Sequence, residues 1–111
     1  MPQITYDYFE KVDIRVGTII QVEGSSKARK PAYKLWIDFG MLGVKKSSAQ
    51  ITELYRKNDL MGKLIIAVVN FPPKQIADFK SEALVLGVVL DNNGVVLVQP
   101  DGDVPLGKRV L

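Results

Sequence analysis

Two short apolar runs, one closing on Ala67-Val68-Val69 and one over 83–90, flank a polar stretch that opens Asn70-Phe71-Pro72-Pro73-Lys74. Runs this short and this rich in Val, Leu and Ile read as buried strands. Neither Pro72 nor Pro73 carries a backbone N–H, so the hydrogen-bond ladder stops there. This part of the chain is therefore committed to strand, long loop, strand, and long ordered loops are often functional. The loop over 70–82 holds two rings, Phe71 and Phe79, and two cations, Lys74 and Lys80. It is expected to form one wall of a binding groove, with its rings either filling a core edge or awaiting a ligand.

Residues 4–12 read as a short helix, with Thr5 as its cap and Tyr8, Phe9 and Val12 on one stripe. Residues 13–22 alternate as a strand. Ile14, Val16, Ile20 and Val22 take the buried face, Arg15, Gly17, Ile19 and Gln21 the other, and Gly17 marks a bend or bulge. A polar, basic loop covers 24–32. Tyr33, Leu35, Ile37 and Phe39 then occupy alternate positions as the core face, which puts Lys34, Trp36 and Asp38 outside. A tryptophan there is either covered, by its own chain or a second subunit, or serves as a ligand platform.

Residues 44–48 read as a third strand. Ser47-x-x-Gln50 has capping-box form, and Ile51, Leu54 and Tyr55 continue it as the stripe of a short helix ending near Asn58 or Gly62. Residues 64–69 are apolar on both faces, as in a strand covered on both sides. Residues 83–90 form the next strand, Asp91-Asn92-Asn93-Gly94 a hairpin turn, and residues 95–99 the return. A last short, packed strand is expected over 108–111.

This order predicts one domain over 1–111. It is an all-β dominated fold: a five-stranded oligonucleotide/oligosaccharide-binding (OB) barrel with a short helix between strands three and four. An N-terminal helix and a C-terminal β extension are added to it. Such barrels bind ligands on the outer face of strands two and three, between the first and fourth inter-strand loops. Here those loops cover 24–32 and 70–82, which brings a basic window to an aromatic loop.

Composition narrows the chemistry. The chain has no cysteine and no histidine, which removes thiol nucleophiles, disulfides, thiolate metal sites and the commonest general base. No apolar run is long enough for a membrane-spanning helix, so a cytoplasmic protein without membrane insertion is expected. The net charge is only +3, yet Lys27, Arg29, Lys30, Lys34, Lys45 and Lys46 fall in one window against a single acid, Asp38. That window is either an anion-binding patch or a set of solvated lysines. Asp91-Asn92-Asn93-Gly94 lacks the glutamate of a calcium loop, and Asp101 and Asp103 sit in a turn. No metal, cofactor or catalytic residue is expected. The chain reads as a binding module.

Five segments carry a family resemblance: Asp13-Ile14-Arg15-Val16-Gly17, Ala28-Arg29-Lys30-Pro31-Ala32-Tyr33-Lys34-Leu35, Ile37-Asp38-Phe39-Gly40, Lys45-Lys46-Ser47-Ser48-Ala49-Gln50-Ile51-Thr52 and Asn70-Phe71-Pro72-Pro73-Lys74. In this order they resemble the CsaA proteins, small secretion-related chaperones of bacteria and archaea. These belong to the wider group of tRNA-binding domains appended to methionyl- and phenylalanyl-tRNA synthetases. The resemblance runs from about Phe9 to the C-terminus. It implies an OB fold, a homodimer built with the terminal additions, and no enzymatic activity. It also implies binding of unfolded precursor polypeptides and of the SecA motor, and it admits tRNA as a ligand.

The chain departs from the tRNA-binding relatives in one place. They carry a basic-apolar-basic triplet and often a glycine where this chain has Gln75-Ile76-Ala77 and Asp78. Two cations are missing and an anion is added, which favours a polypeptide over a phosphate backbone. The expected polypeptide site takes its apolar pockets from Trp36, Phe71 and Phe79 and its charged rim from Lys34, Lys46 and Lys74. The alternative nucleic-acid site comprises Lys27, Arg29, Lys30, Lys34, Lys45, Lys46, Lys74, Lys80 and Ser81.

Overall fold

The computed structural model describes residues 1–25 and 30–111. After a one-turn helix α1 (Tyr6–Glu10) come β1 (Ile14–Gly24), β2 (Tyr33–Asp38) and β3 (Val44–Ala49), then α2 (Lys57–Leu60) and β4 (Leu64–Val68). Five short strands complete the chain: β5 (Lys74–Ile76), β6 (Phe79–Ser81), β7 (Leu84–Val85), β8 (Gly87–Val89) and β9 (Val95–Leu97). The main sheet is antiparallel with strand order β3-β2-β1-β4-β7.

The two outer strands of this sheet come together. Glu82 N and Ala83 N both donate to Lys46 O, at 2.7 and 3.2 Å. Side chains complete the seam: Lys46 N donates to Glu82 Oε1 at 2.9 Å, and Ser48 N to Ser81 Oγ at 3.0 Å. Unpaired edge groups of β3 are thus satisfied, as exposed sheet edges require. The result is a nearly closed five-stranded barrel with a short helix between its third and fourth strands, the OB arrangement.

Alternation in β2 dictates the core. Leu35, Ile37 and Phe39 are fully buried and meet Ile19 from β1, Ile65 and Ala67 from β4, and Leu60 from α2. The C-terminal segment adds to β1 from outside: Val16 N donates to Lys108 O at 3.0 Å, Gly107 N to Val16 O at 2.8 Å, and Val110 N to Ile14 O at 2.8 Å. The strand expected over 108–111 survives as one bridge, Arg15 to Arg109. Val110 is half-buried, but Leu111 is exposed rather than packed.

Several further expectations are corrected. In β1 the register shifts between Ile19 and Gln21, so Ile20 is a bulge. An extra residue flips side-chain parity. Ile19, assigned outside, is fully buried, while Ile20, assigned to the core, is exposed. The helix does not start at Ser47. That residue lies inside β3, and α2 begins at Lys57, its first turn held by Arg56 N donating to Asp59 Oδ2 at 2.9 Å. Barrel closure keeps residues 44–49 extended and overrides the local capping pattern. The loop over 70–82 is itself structured, since β5 and β6 pair in register around Ala77 and Asp78. The run over 83–90 is split. Leu86 N donates to Ile66 O at 2.8 Å and Val98 N to Leu86 O at 3.2 Å, so the chain leaves the barrel there for the β8–β9 hairpin. Thr5 precedes α1 in extended geometry but makes no side-chain cap.

Ser47 faces inward opposite Leu35 and is 1% exposed, and among the described residues its Oγ has no hydrogen-bond partner. A buried hydroxyl without a partner costs about 1–3 kcal/mol. Ser47→Ala is expected to raise unfolding stability by about 1 kcal/mol, read from the denaturation midpoint at unchanged slope. A loss of that size would show that the hydroxyl is hydrogen-bonded after all.

Candidate functional site

The outer face of β2 and β3 brings several of the sequence-predicted site residues together. Trp36 and Lys46 are direct cross-strand partners, and Lys34 lies two residues along β2 on the same face. The β5–β6 hairpin folds over them. Phe79 sets its ring edge-on to Trp36, with centroids 5.5 Å apart and planes at 73°. Lys34 Nζ and Lys46 Nζ stand 5.5 and 5.3 Å from the centre of the same ring. Cations within about 6 Å of a ring centre are attracted by its quadrupole. Lys34 Nζ also pairs with Asp78 Oδ1 at 3.5 Å. Trp36 is half-buried, and the chain's own Phe79 is its cover.

The two loop rings have parted company. Phe79 is only 6% exposed, whereas Phe71 is 51% exposed. Phe71 lines a cleft of about 340 Å³ with Pro72, Lys74, Ser81, Glu82, Ala83 and Leu84. Four of these residues are apolar, one is a cation and one an anion. Asn70 fixes the approach to the cleft: its Oδ1 accepts from Asp13 N at 2.9 Å and its Nδ2 donates to Lys11 O at 2.7 Å.

The basic window is not one patch. Lys45 pairs with the core residue Ile37, so alternation turns it away from the face that Lys46 shares with Trp36. Lys30 lines a separate cleft of about 440 Å³ with Gln50, Thr52, Glu53, Val89 and Asn93. Lys74 and Lys80 are exposed on the hairpin, opposite Ser81 and Gln75. Ser81 is half-buried and spends its hydroxyl on the β3 seam. Lys27 and Arg29 lie outside the described residues.

Asp78 and Glu82 are the groups that sequence reasoning passed over. Asp78 counted only as an anion spoiling a phosphate site, yet it neutralises Lys34. Glu82 reads as a polar residue at a strand start, and nothing local shows that its carboxylate caps the backbone of a strand 36 residues away. Asp13 likewise joins the two ends of the chain: Arg15 Nε donates to its Oδ1 at 2.6 Å, and Arg109 Nε stands 3.8 Å from the same atom. Among the described residues no group of three or more acidic side chains is placed to hold a metal ion, and no helix is long and apolar enough to cross a membrane.

Residues 14–109 match the family described as "Putative tRNA binding domain". Over 110 residues the chain is 33% identical to methionine–tRNA ligase of Methanocaldococcus jannaschii, covering 99% of this chain but 17% of the ligase. It thus spans about a sixth of the length of that relative. Two solved structures superimpose over nearly their full length. The chaperone CsaA of Bacillus anthracis is 49% identical with a TM-score of 0.95, covering 99% of this chain and 100% of that one. The CsaA chaperone protein of Picrophilus torridus is 56% identical with a TM-score of 0.92, covering 98% and 100%. With the same barrel, the same length and about half its residues in common with both, this chain belongs to the CsaA family of the tRNA-binding-domain group.

Proposed function

We propose that this protein is a non-enzymatic chaperone, a single domain working in the cytoplasm as a homodimer. It holds unfolded, export-bound polypeptides and presents them to the SecA motor. The carrying observation is the pairing of an aromatic platform with an adjoining apolar cleft. Trp36 lies between Lys34 and Lys46, with Phe79 on the hairpin side, while Phe71 and Lys74 rim the cleft next to it. Apolar side chains take apolar surface out of water, and cations at the rim attract acidic side chains and backbone carbonyls. A homodimer is supported by exposed apolar residues on the terminal additions, Ile4, Tyr6 and Tyr8 at one end and Val88, Val89 and Val96 near the other.

tRNA binding is the second reading, favoured by the match over residues 14–109. The spread of the cations weighs against a long phosphate track. With Lys45 turned away and Lys30 in another cleft, Lys34 and Lys46 are the pair that shares a face with a stacking ring. Two phosphate contacts give a slope of log affinity on log salt of roughly −2.

One experiment separates the two readings. Affinities for a reduced, carboxymethylated unfolded protein and for bulk tRNA are measured side by side at two salt concentrations. Polypeptide binding is expected to fall less with salt than tRNA binding does, since apolar contacts carry part of it. Absence of polypeptide binding, together with tRNA binding of slope about −2, would assign the face to nucleic acid.

A further inference from the structure

We propose that the tip of the β5–β6 hairpin, Asp78-Phe79, is a built-in occupant of the Trp36 platform, and that the ligand it stands in for is a polypeptide segment bearing an aromatic residue next to acidic ones. This inference rests on the polypeptide-binding reading of the same face and names the chemistry of its ligand.

The seat already contains a peptide. Phe79 sits edge-on to Trp36 beneath two ammonium groups, and Asp78, its neighbour in sequence, meets one of them at 3.5 Å. Each element has a counterpart in a client chain: a ring for Trp36 and a carboxylate for Lys34. Among the described residues no ion pair engages Lys46, so a second carboxylate beside the ring has a cation waiting. A segment with acids on both sides of a ring therefore matches the seat better than the hairpin does. The adjoining cleft, with Phe71, Pro72, Ala83 and Leu84 in its walls, suits flanking apolar side chains better than phosphates.

The tip is built to leave. Its two-residue turn places Ala77 at φ 54, where a side chain is strained and glycine is favoured. The base is held differently from the tip. Ser81 and Glu82 hydrogen-bond to the backbone of β3, whereas the Phe79 ring contacts and the Lys34–Asp78 ion pair are among the side-chain contacts of the tip. Pro72 and Pro73 precede β5 and donate no backbone hydrogen bond. The tip can lift while the barrel seam stays closed.

A ligand that needs the open form binds with an apparent affinity scaled by the fraction open. If about one molecule in ten is open, releasing the tip tightens binding about tenfold. The test titrates a blocked pentapeptide, glycine-aspartate-phenylalanine-glutamate-glycine, into the full chain and follows emission of Trp36, its only tryptophan. The variants are Phe79→Ala, Asp78→Asn and Ala77→Gly. Phe79→Ala and the milder Asp78→Asn, which leaves the ring in place, are expected to tighten binding about tenfold and severalfold. Ala77→Gly, which relaxes the turn of the closed form, is expected to weaken it about threefold. A pentapeptide with asparagine and glutamine for the acids is expected to bind at least tenfold more weakly to every variant.

Equal or weaker binding by both Phe79→Ala and Asp78→Asn overturns the proposal, as does tightening seen for a uridine dodecamer but not for the pentapeptide. Binding of the reduced, carboxymethylated protein to the wild type is measured in parallel. If it is absent while the variants still gain affinity for the pentapeptide, the chaperone reading falls and the built-in occupant stands. If it is present without any gain in the variants, the reverse holds.

Discussion

Gly17→Ala is expected to lower unfolding stability by about 2–3 kcal/mol, although it adds only one methyl group. A Cβ at this position would stand 2.6 Å from Ile37 Cγ2 and 2.8 Å from Phe39 Cδ1 and Cε1. Both neighbours are fully buried in the centre of the barrel, so neither can swing aside into solvent. Overpacking of this kind forces off-rotamer side chains or backbone shifts. The usual gain from removing a strand glycine, about 0.5–1 kcal/mol, offsets only part of the cost. In a chain of this size each kcal/mol moves the melting midpoint by about 4–8 °C, so a fall of some 10 °C or more is expected in a thermal scan. An unchanged midpoint would mean that β1 and β2 do not pack as tightly at this crossing as described.

Trp36→Ala is expected to weaken binding of an unfolded polypeptide by about 30-fold, a loss of roughly 2 kcal/mol. Tryptophan contributes large contact area at low entropic cost, and hot spots are enriched in it. The readout is anisotropy of a labelled, reduced and carboxymethylated protein, because the variant has lost its only indole. Far-ultraviolet circular dichroism and the denaturation midpoint accompany it, since the side chain is half-buried and lies outside the core cluster. Trp36→Phe is expected to recover most of the affinity. Wild-type affinity in Trp36→Ala, with the barrel intact, would move the ligand to another face.

The platform and its cover differ in how far sequence reveals them. The outward direction of Trp36, Lys34 and Asp38 follows from period-2 alternation in β2, because Leu35, Ile37 and Phe39 leave no other face for them. That Phe79 rather than Phe71 lies on Trp36 is a contact across 43 positions, and nothing in the sequence neighbours of either ring singles it out. The hairpin within 70–82 was missed for a related reason. Its turn is Ala77-Asp78, without the asparagine-glycine chemistry that normally announces such a turn, and its strands are three residues each. The Asp91-Asn92-Asn93-Gly94 turn shows the contrast. Asn93 takes φ 68 there, and the turn was legible in advance.

By itself the sequence determined what short-range sterics and periodicity determine. These are the core face of β2, the chain breaks at Pro72-Pro73 and at 91–94, a small barrel in place of a bundle, and a chemistry without histidine or cysteine. Tertiary structure alone decided what depends on which strands meet. The bulge at Ile20 puts Ile19 in the core and Ile20 outside, Ser47 becomes a core residue instead of a helix cap, and Ser81 and Glu82 close the barrel with their side chains. The physical reason is that a single strand carries only its own alternation. The partner that consumes an edge N–H, absorbs a bulge or covers a ring comes from a distant part of the chain, and no local pattern encodes it.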